Sequence, residues 1–467
     1  MEKDIVIIGG GPGGYTAAIR AAQLGAKVAL VETENLGGTC LNKGCIPTKA
    51  LYKNAQMVNE LNNASEFGIK LDGFTIDICE IMQRKQKIVD RLKEGISQLI
   101  KANSIEIVYG RASLVSREKV IVIDPQENEN VIHAKNIILA TGSVPGKPPI
   151  PGIDLPGVMN SDEMLSIDKI PSTLAIIGGG VIGIEFAGIF SALGSKVTVV
   201  EFLPRILANM EGEISKKLVF ALKKKGISIE TDTKVIQISE GQESLSILTE
   251  GKKGENVICA DAFLVSTGRV PNVEDLKLEM LGIVYDSKGI QVDETYQTNV
   301  PGIYAIGDVI GGQMLAHVAS EEGIAAVEHI MGLKGHMRYD AVPGCVFTFP
   351  EIAAVGLSEE DARGKGIDYI SSKFLFGANG KALTIGEEEG FVKVLAETQT
   401  KEIIGVHIMG PHASDLIHEA VLAVENKMTT EDISSVIHAH PTLSEALMEA
   451  ALGIENKAIH MQPKKPK

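Results

Sequence analysis

The chain has 467 residues, which is too long for a single hydrophobic core of ordinary size, so we expect two to four domains. Its 44% hydrophobic and 22% charged residues are typical of a globular protein and exclude a disordered or fibrous chain. A net charge of −15 argues against a nucleic-acid binder, because such proteins need a basic face.

The first predicted unit is a strand, a glycine-rich turn and a helix. The run "DIVIIGGGPGG" places G-x-G-x-x-G at Gly9, Gly11 and Gly14, and a second strand, "AKVALVE", ends at Glu32. In a dinucleotide-binding βαβ unit such glycines let the backbone approach a pyrophosphate, and the acid accepts hydrogen bonds from ribose hydroxyls.

The apolar run of the first strand follows "MEKD" directly, and no stretch of the sequence reaches about 20 apolar residues. We therefore expect a cytoplasmic protein without a membrane span.

Two of the five cysteines, Cys40 and Cys45, lie five positions apart in "GGTCLNKGCIPTK". A regular helix would separate them by about 7.5 Å along its axis, so a disulfide requires a turn or a distorted helix start. A helix beginning here would lower a thiol pKa through its dipole, as a redox pair needs. Zinc binding lacks nearby ligands, and two unrelated buried thiols are the other alternative. Cys79, Cys259 and Cys345 are interpreted as buried, inert thiols.

The strand, turn and helix recur at an offset of 169 residues, in "LAIIGGGVIGIEFAGIFSALGSKVTVVE". The corresponding residues are Gly178, Gly180, Gly183 and Glu201. Two dinucleotide sites in one chain suggest electron transfer from one cofactor to the other. Glu201 would bind a ribose 2′-hydroxyl and repel a 2′-phosphate, which favours NAD over NADP, although the nearby Arg205 is an opposing signal.

Three later apolar segments each end in a motif with two interpretations, a ligand-binding strand end or a simple turn. They are "IILATGS" at 137–143, "AFLVSTGRVPN" at 262–272 and "GIYAIGD" at 302–308. Ligands bind at the carboxyl ends of strands in open α/β sheets, so these segments are candidates for returns to the cofactor sites. Asp308 is the best placed to bind cofactor hydroxyls.

A histidine-rich segment, "VIHAHPTLSEALMEAALG", precedes the last predicted helix. A thiol exchange needs a base whose pKa is near neutrality, which histidine provides, and His440 is one candidate beside His438. Glu445 has two interpretations that the local sequence leaves open. It completes a capping box with Thr442, or it is the carboxylate that orients His440.

These motifs together resemble the dihydrolipoamide dehydrogenase branch of the pyridine nucleotide-disulfide oxidoreductases. The resemblance rests on the two fingerprints, "GGTCLNKGCIPTK", "GIYAIGD", "MLAHVASEEG" and "HAHPTLSE", in the family's order along essentially the whole chain. "HPTLSE" is the form found in the lipoamide branch. Val181 stands where glutathione reductases have a tyrosine, and the extra C-terminal cysteines of mercuric reductases are missing.

The resemblance implies an α/β fold with two Rossmann-like dinucleotide-binding domains and a C-terminal α+β interface domain for dimerisation. It implies an FAD-binding domain at 1–145, an NAD-binding domain at 146–270, a central domain at 271–342 that completes the FAD site, and an interface domain at 343–467. The implied cofactors are FAD, bound tightly but not covalently, and NAD, with no metal.

The resemblance also assigns site residues. The implied FAD site comprises Gly9, Gly11, Gly14, Glu32, Lys49, Ala112, Thr141, Gly142, Ser143, Asp308, Met314, Leu315, Ala316 and His317. The implied NAD site comprises Gly178, Gly180, Gly183, Glu185, Glu201, Val235 and Gly268. The implied catalytic residues are Cys40, Cys45, Lys49, Glu185, His440 and Glu445.

The implied reaction is oxidation of protein-bound dihydrolipoamide through a Cys40–Cys45 redox disulfide and FAD to NAD+. Cys40 would face the substrate and Cys45 the flavin, with His440 as base. The implied partners are a second copy of the chain, whose His440 would serve the first copy's disulfide, and the lipoyl domains and acyltransferase core of a 2-oxo acid dehydrogenase complex. The alternatives are a glutathione-type or mercuric reductase of the same family, or a non-catalytic flavin-binding surface protein.

Overall fold

The computed structural model describes residues 1–241 and 245–462. Residues 463–467, the end of the predicted interface domain, lie outside the described residues. The strands are β1 (Glu2–Ile8), β2 (Val28–Glu32), β3 (Glu106–Tyr109), β4 (Arg111–Ser116), β5 (Lys119–Ile123), β6 (Glu129–Leu139), β7 (Ser143–Pro145), β8 (Val158–Met159), β9 (Thr173–Ile177), β10 (Lys196–Val200), β11 (Ser228–Glu230), β12 (Lys234–Glu240), β13 (Leu245–Gly251), β14 (Gly254–Ala260), β15 (Ala262–Val265), β16 (Arg269–Pro271), β17 (Tyr285–Asp286), β18 (Gly289–Ile290), β19 (Ile303–Ala305), β20 (Gly344–Val346), β21 (Ile352–Gly356), β22 (Tyr369–Leu375), β23 (Phe391–Glu397) and β24 (Ile403–Met409).

The α-helices surround these strands. They are α1 (Pro12–Gln23), α2 (Gly38–Lys43), α3 (Cys45–Asn62), α4 (Ile78–Ala102), α5 (Ser161–Met164), α6 (Val181–Ala192), α7 (Gly212–Lys224), α8 (Ala316–Ile330), α9 (Glu359–Gly364), α10 (Gly380–Thr384), α11 (Ala413–Glu425), α12 (Thr430–Ser434) and α13 (Glu445–Leu452). Short 3₁₀ turns cover Ala64–Phe67, Leu278–Leu281, Gly307–Ile310, Tyr339–Ala341, Phe376–Ala378 and Gly453–Glu455.

The first sheet contains the first glycine motif at the end of a central strand. Its order is β3-β2-β1-β6-β5-β4, and β19 also pairs with β6. Strands β1, β2, β3, β6 and β19 form the parallel part of this sheet, whereas β4, β5 and β6 pair antiparallel. The parallel part fits the fully buried run from Ile5 to Ile8, because parallel strands are covered on both faces. The late strand β19 therefore returns the chain, and with it Asp308, to the first sheet.

The second sheet repeats this arrangement. Its order is β11-β10-β9-β15-β8, and all its pairs are parallel. An antiparallel three-stranded sheet, β12-β13-β14, is inserted in the chain between β11 and β15, and β7 pairs with β16. The two glycine motifs thus lie at equivalent strand ends, as the repeat predicted.

The third sheet is antiparallel, in the order β20-β21-β24-β23-β22, and α11 and α13 pack against it around one apolar cluster. Strand β23 is almost entirely buried, from Phe391 to Ala396. Two parallel α/β units followed by an antiparallel sheet with helices confirm the predicted fold class.

The expectation of buried thiols is wrong for two cysteines and only partly met by the third. Cys79 and Cys259 are exposed, and Cys345 is half-buried. Cys79 lies at the start of α4 and Cys259 lies on β14, which is an edge strand, so both side chains reach solvent despite apolar sequence neighbours. Across the described residues, no helix combines the length and the apolar character that crossing a membrane requires.

Candidate active site

The first glycine turn brings β1, α1 and the end of β6 into close contact. Gly9 has φ of 108°, and a Cβ there would lie 2.2 Å from the Ala140 carbonyl oxygen. A Cβ on Gly14 would lie 1.8 Å from the Gly9 carbonyl oxygen. Gly14 therefore allows the helix to approach the strand, and the turn itself remains open at Gly11 for a ligand.

The acid of each fingerprint is held by the backbone of its own turn. Glu32 accepts hydrogen bonds from the N–H of Gly10, at 2.7 Å, and from the N–H of Glu34, at 2.8 Å. Glu201 accepts the equivalent bonds from Gly179, at 2.5 Å, and from Leu203, at 2.6 Å. Both carboxylates are buried and fixed in orientation, so the 169-residue repeat extends to individual hydrogen bonds.

Arg205, the sequence signal opposing NAD, is occupied elsewhere. Its guanidinium donates to the Ala208 carbonyl oxygen, at 2.9 Å, and pairs with Glu360, at 3.5 Å. Phe202 and Leu203 instead line the cavity beside Glu201. An apolar rim and a fixed carboxylate favour a ribose with a free 2′-hydroxyl over a 2′-phosphate.

A single cavity of about 2100 Å³ joins the two glycine turns. It is larger than the roughly 300–1,000 Å³ of pockets for one small ligand, so its size and its two glycine turns suit two dinucleotides, FAD and NAD. Most predicted site residues line it: Gly9, Gly11, Glu32, Cys40, Cys45, Lys49, Ala112, Thr141, Gly142, Ser143, Gly178, Gly180, Glu185, Glu201, Val235, Gly268, Asp308, Met314, Leu315 and Ala316.

Some of the predicted site residues do not line this cavity. The described residues that line the cavity do not include Gly14, Gly183, His317, His440 or Glu445. Gly183 is packed like Gly14, since a Cβ there would lie 2.0 Å from the Gly178 carbonyl oxygen. His317 contacts the Pro343 carbonyl oxygen at 3.0 Å, and burial lowers its pKa.

The cysteine pair spans a break between two helices, as the spacing predicted. Helix α2 ends at Lys43 and α3 begins at Cys45, with Gly44 between them at φ −146° and ψ −109°. Cys40 and Cys45 are free thiols whose side chains hydrogen-bond to each other. That hydrogen bond and the charge of Lys49 lower the pKa of Cys45 to about 7, whereas the pKa of Cys40 is raised.

Lys49 and Glu185 form an ion pair beside the thiols. The Lys49 Nζ lies 3.0 Å and 2.9 Å from the two carboxylate oxygens of Glu185. Glu185 also accepts the backbone N–H of Phe347 at 3.0 Å, and the Phe347 ring lies 4.5 Å from the Lys49 Nζ. Phe347 was not identified from the sequence, because only the tertiary fold brings β20 to this point.

A chain of hydrogen bonds joins the two cofactor regions. The Ser143 hydroxyl donates to Asp308 at 2.5 Å, and Arg269 donates to the Ser143 hydroxyl and carbonyl oxygens, both at 2.7 Å. Arg269 directly follows Gly268 and lines the same cavity. Sequence reasoning missed Arg269, although "TGRVPN" contained it and its position after a predicted ligand-binding strand end was the available signal.

His440 and Glu445 form a pair on the outside of the third sheet. The His440 Nδ1 lies 2.9 Å from Glu445 Oε1, and the other oxygen accepts the N–H of Thr442 at 2.8 Å. Glu445 therefore contacts His440, as one interpretation predicted, but it does not complete a capping box with Thr442. Helix α13 begins at Glu445 itself, and the Thr442 hydroxyl donates to the Ala439 carbonyl oxygen. Burial raises the pKa of Glu445, but hydrogen bonds from Thr442 and His440 and the charges of His440 and His460 outweigh burial and lower it.

The side chains of residues 1–241 and 245–462 form no candidate metal site. Nowhere in these ranges do three or more His, Cys, Asp or Glu side chains converge to hold a metal ion.

Comparisons with known proteins agree with this arrangement. The family model described as pyridine nucleotide-disulphide oxidoreductase matches residues 3–323, and the model for that family's dimerisation domain matches residues 342–451. The chain is 46% identical to a dihydrolipoyl dehydrogenase of Bacillus subtilis, covering 98% of this chain and 99% of the relative. It is 45% identical to the mitochondrial dihydrolipoyl dehydrogenase of Pisum sativum, covering 98% and 93%. The crystal structure of LpdA from Mycobacterium tuberculosis superposes with a TM-score of 0.90 at 25% identity, covering 97% and 99%.

Proposed function

The chain belongs to the pyridine nucleotide-disulphide oxidoreductase family, and from this premise we propose that it catalyses NAD-dependent oxidation of dihydrolipoamide to lipoamide. It is an oxidoreductase that acts on sulfur groups and uses FAD and NAD. Similarity to dihydrolipoyl dehydrogenases over 98% of the chain, at 45–46% identity, favours this activity over a glutathione-type or mercuric reductase and over a non-catalytic flavin-binding protein.

One observation carries the proposal. Cys40 and Cys45 line the same cavity as both glycine turns and both fixed glutamates. A thiol pair in that position lies between a dithiol substrate and the electron-carrying cofactors. Cys345 also lines this cavity, but it is the thiols of Cys40 and Cys45 that hydrogen-bond to each other.

The proposed thiol chemistry begins at His440. Its Nδ1 is held by Glu445, so its Nε2, on the opposite side of the ring, takes a proton from one substrate thiol. The resulting thiolate attacks Cys40 of an oxidised Cys40–Cys45 disulfide, and Cys45 leaves as a thiolate. The second substrate thiol then attacks the mixed disulfide, which releases lipoamide and returns Cys40 as a thiol. The protein has gained two electrons.

The polar environment of Cys45 stabilises the leaving thiolate. The positive charge of Lys49 favours the charged form of Cys45 as it leaves, and the hydrogen bond donated by Cys40 adds to this once lipoamide is released and Cys40 is again a thiol. When bound, FAD and NAD supply the chemistry that carries the two electrons onward as a hydride. Lys49 and Glu185 would lie between the two cofactors, whereas Glu32 and Glu201 would each hold a ribose.

The proposed domain boundaries lie near 145, 270 and 342. The match to a dimerisation domain supports a second copy of the chain as one partner. We propose a homodimer in which His440 and Glu445 of one subunit act on the cysteines of the other. This is supported by the exposure of the His440 side chain, 78%, and of the neighbouring Ile437, 96%. The lipoyl domains and acyltransferase core of a 2-oxo acid dehydrogenase complex are the proposed substrate carriers.

A cytoplasmic location is proposed on the basis of thiol chemistry. Cys79 and Cys259 are exposed and free, which suits a reducing compartment. Fractionation of cells with an antibody against the chain tests this location.

The decisive test is steady-state oxidation of dihydrolipoamide with NAD+ and, separately, with NADP+, together with an absorption spectrum. We expect a yellow protein, turnover with NAD+ and much weaker turnover with NADP+. A matched Cys45→Ser variant should keep the yellow colour and lose dihydrolipoamide oxidation. A colourless protein, or one that prefers NADP+, contradicts the proposal.

A further inference from the structure

Helix α13 carries the carboxylates of two histidine and carboxylate pairs, of which His440 and Glu445 form the first. Glu449 lies one helical turn after Glu445, and its Oε1 lies 2.8 Å from Nδ1 of His460. Its other oxygen accepts backbone N–H groups from Ile459, at 3.0 Å, and from His460, at 3.1 Å. All three donors belong to the segment after the helix, so Glu449 fastens that segment to α13.

The Glu449 carboxylate in this contact is buried beside the third sheet. The Glu449 side chain is only 3% exposed, whereas His460 is 70% exposed. A buried carboxylate needs hydrogen-bond donors, and here the segment supplies them. The neighbouring Met461 packs against the apolar cluster under α13. The segment 453–461 therefore folds back onto α13 by both polar and apolar contacts.

The two pairs share one geometry and are electrostatically linked. In each, a glutamate binds Nδ1, so Nε2 lies on the opposite side of an exposed ring. Because Glu445 and Glu449 are four residues apart, they project from the same face of α13. His460 is also close enough for its charge to favour ionisation of Glu445.

We infer that Glu449 and His460 are positioning residues for the proposed dithiol oxidation. By holding the segment 453–461 against α13, they fix the first turn of the helix, hence Glu445 and, through it, the ring of His440. The inference rests on the proposed function, because His440 matters here only as the base in thiol exchange. Displacement of a catalytic group by about 1 Å lowers rates strongly, so a remote contact of this kind affects turnover.

The first test compares His460→Ala with His460→Asn. The Asn amide can donate to Glu449 from nearly the position of Nδ1, whereas Ala cannot. We expect His460→Ala to lower kcat for dihydrolipoamide oxidation about tenfold, with little change in KM for NAD+, and His460→Asn to restore most of the rate. Reduction of ferricyanide by NADH, which needs no thiol exchange, should be unchanged in both variants.

The matched control is His412→Asn. His412 lies in the same domain near a carboxylate, Asp415, but at the start of α11, and Asn tolerates its left-handed backbone, φ 52°. This variant should oxidise dihydrolipoamide at the wild-type rate. An equal loss in His412→Asn and His460→Ala would overturn the inference.

The second test is a double-mutant cycle with His440→Gln. If His460 acts through His440, then His460→Ala should cause no further loss in the His440→Gln background. Additive losses, wild-type turnover in His460→Ala, or a general loss of FAD and stability without rescue by Asn would each overturn the inference. If the wild-type protein fails to oxidise dihydrolipoamide while reducing ferricyanide, the proposed function fails instead, and the inference with it.

Discussion

Three groups set the charge on the Cys45 sulfur. The hydrogen bond from Cys40 and the charge of Lys49 lower the pKa of Cys45 from 9.0 to about 7, against burial and the charge of Glu185. A lowered pKa means that the thiolate is present above about pH 7 and is protonated below it. The local sequence indicated the helix dipole as the cause, but Lys49 and Cys40 are more direct.

The pH dependence of Cys45 alkylation checks this account. In the reduced protein, the rate of iodoacetamide labelling at Cys45 should rise with a midpoint near pH 7. In Lys49→Met the midpoint should shift upward, because a stabilising positive charge is lost. Cys79→Ser and Cys259→Ser should be present throughout, since both exposed thiols would also react. A wild-type midpoint near 9, or no shift in Lys49→Met, contradicts the prediction.

At the scale of elements, α1 and α8 approach so closely that both need glycine at the contact. A Cβ on Gly323 would lie 2.6 Å from the Gly13 carbonyl oxygen, and a Cβ on Gly13 would lie 2.9 Å from the Ala319 carbonyl oxygen. Helix α8 begins directly after Met314 and Leu315, which line the cavity. The contact therefore joins the first glycine turn to the opposite wall of the cofactor site.

Gly323→Ala should separate these helices. We expect a loss of about 1–3 kcal/mol in the free energy of unfolding and weaker retention of FAD, because the added methyl group meets backbone atoms. Gly95→Ala is the matched control: Gly95 also lies inside a helix, α4, with open space around its Cβ position. It should stabilise the protein by about 1 kcal/mol. Urea unfolding and flavin release measure both effects, and equal behaviour of the two variants would contradict this account.

The elements that the sequence predicted best are those with local, repeated patterns. The two strand, turn and helix units and their acids are specified within about 30 residues, and the hydrogen bonds of Glu32 and Glu201 follow the same repeat. Contacts between segments that are far apart in the sequence were harder to predict. Lys49 meets Glu185 across 136 positions. The resemblance to a family assigned both residues to the site, whereas no local pattern indicated their contact. Exposure of Cys79 and Cys259 depends on tertiary packing that no local pattern describes.

At the scale of the whole molecule, a buried lysine joins the second parallel unit to the third sheet. Lys393 on β23 lies 2.8 Å from Glu211, 3.1 Å from Glu213 and 3.2 Å from Glu359. Burial disfavours its charge, but the carboxylates outweigh burial and raise the pKa of Lys393. Glu211 lines the same cavity as Glu201, so Lys393 links the third sheet to the region of the proposed NAD site.

The proposed arrangement of the two subunits can be tested with mixed dimers. If His440 acts on the partner subunit's thiols, each active site takes its cysteines from one chain and its base from the other. A heterodimer of one Cys45→Ser chain and one His440→Gln chain then contains one intact site. Its specific activity should be about half that of the wild type, because one of two symmetric sites is complete.

The reverse arrangement is the control. A heterodimer of wild type with a chain carrying both Cys45→Ser and His440→Gln should be inactive, since each site lacks either its thiol or its base. If His440 served its own chain, the two heterodimers would exchange behaviours: the first would be inactive and the second half active. Chains carrying two different affinity tags allow both heterodimers to be purified, and dihydrolipoamide oxidation distinguishes the alternatives. Flavin content and ferricyanide reduction by NADH should be the same in both, so any difference reports on the origin of the base.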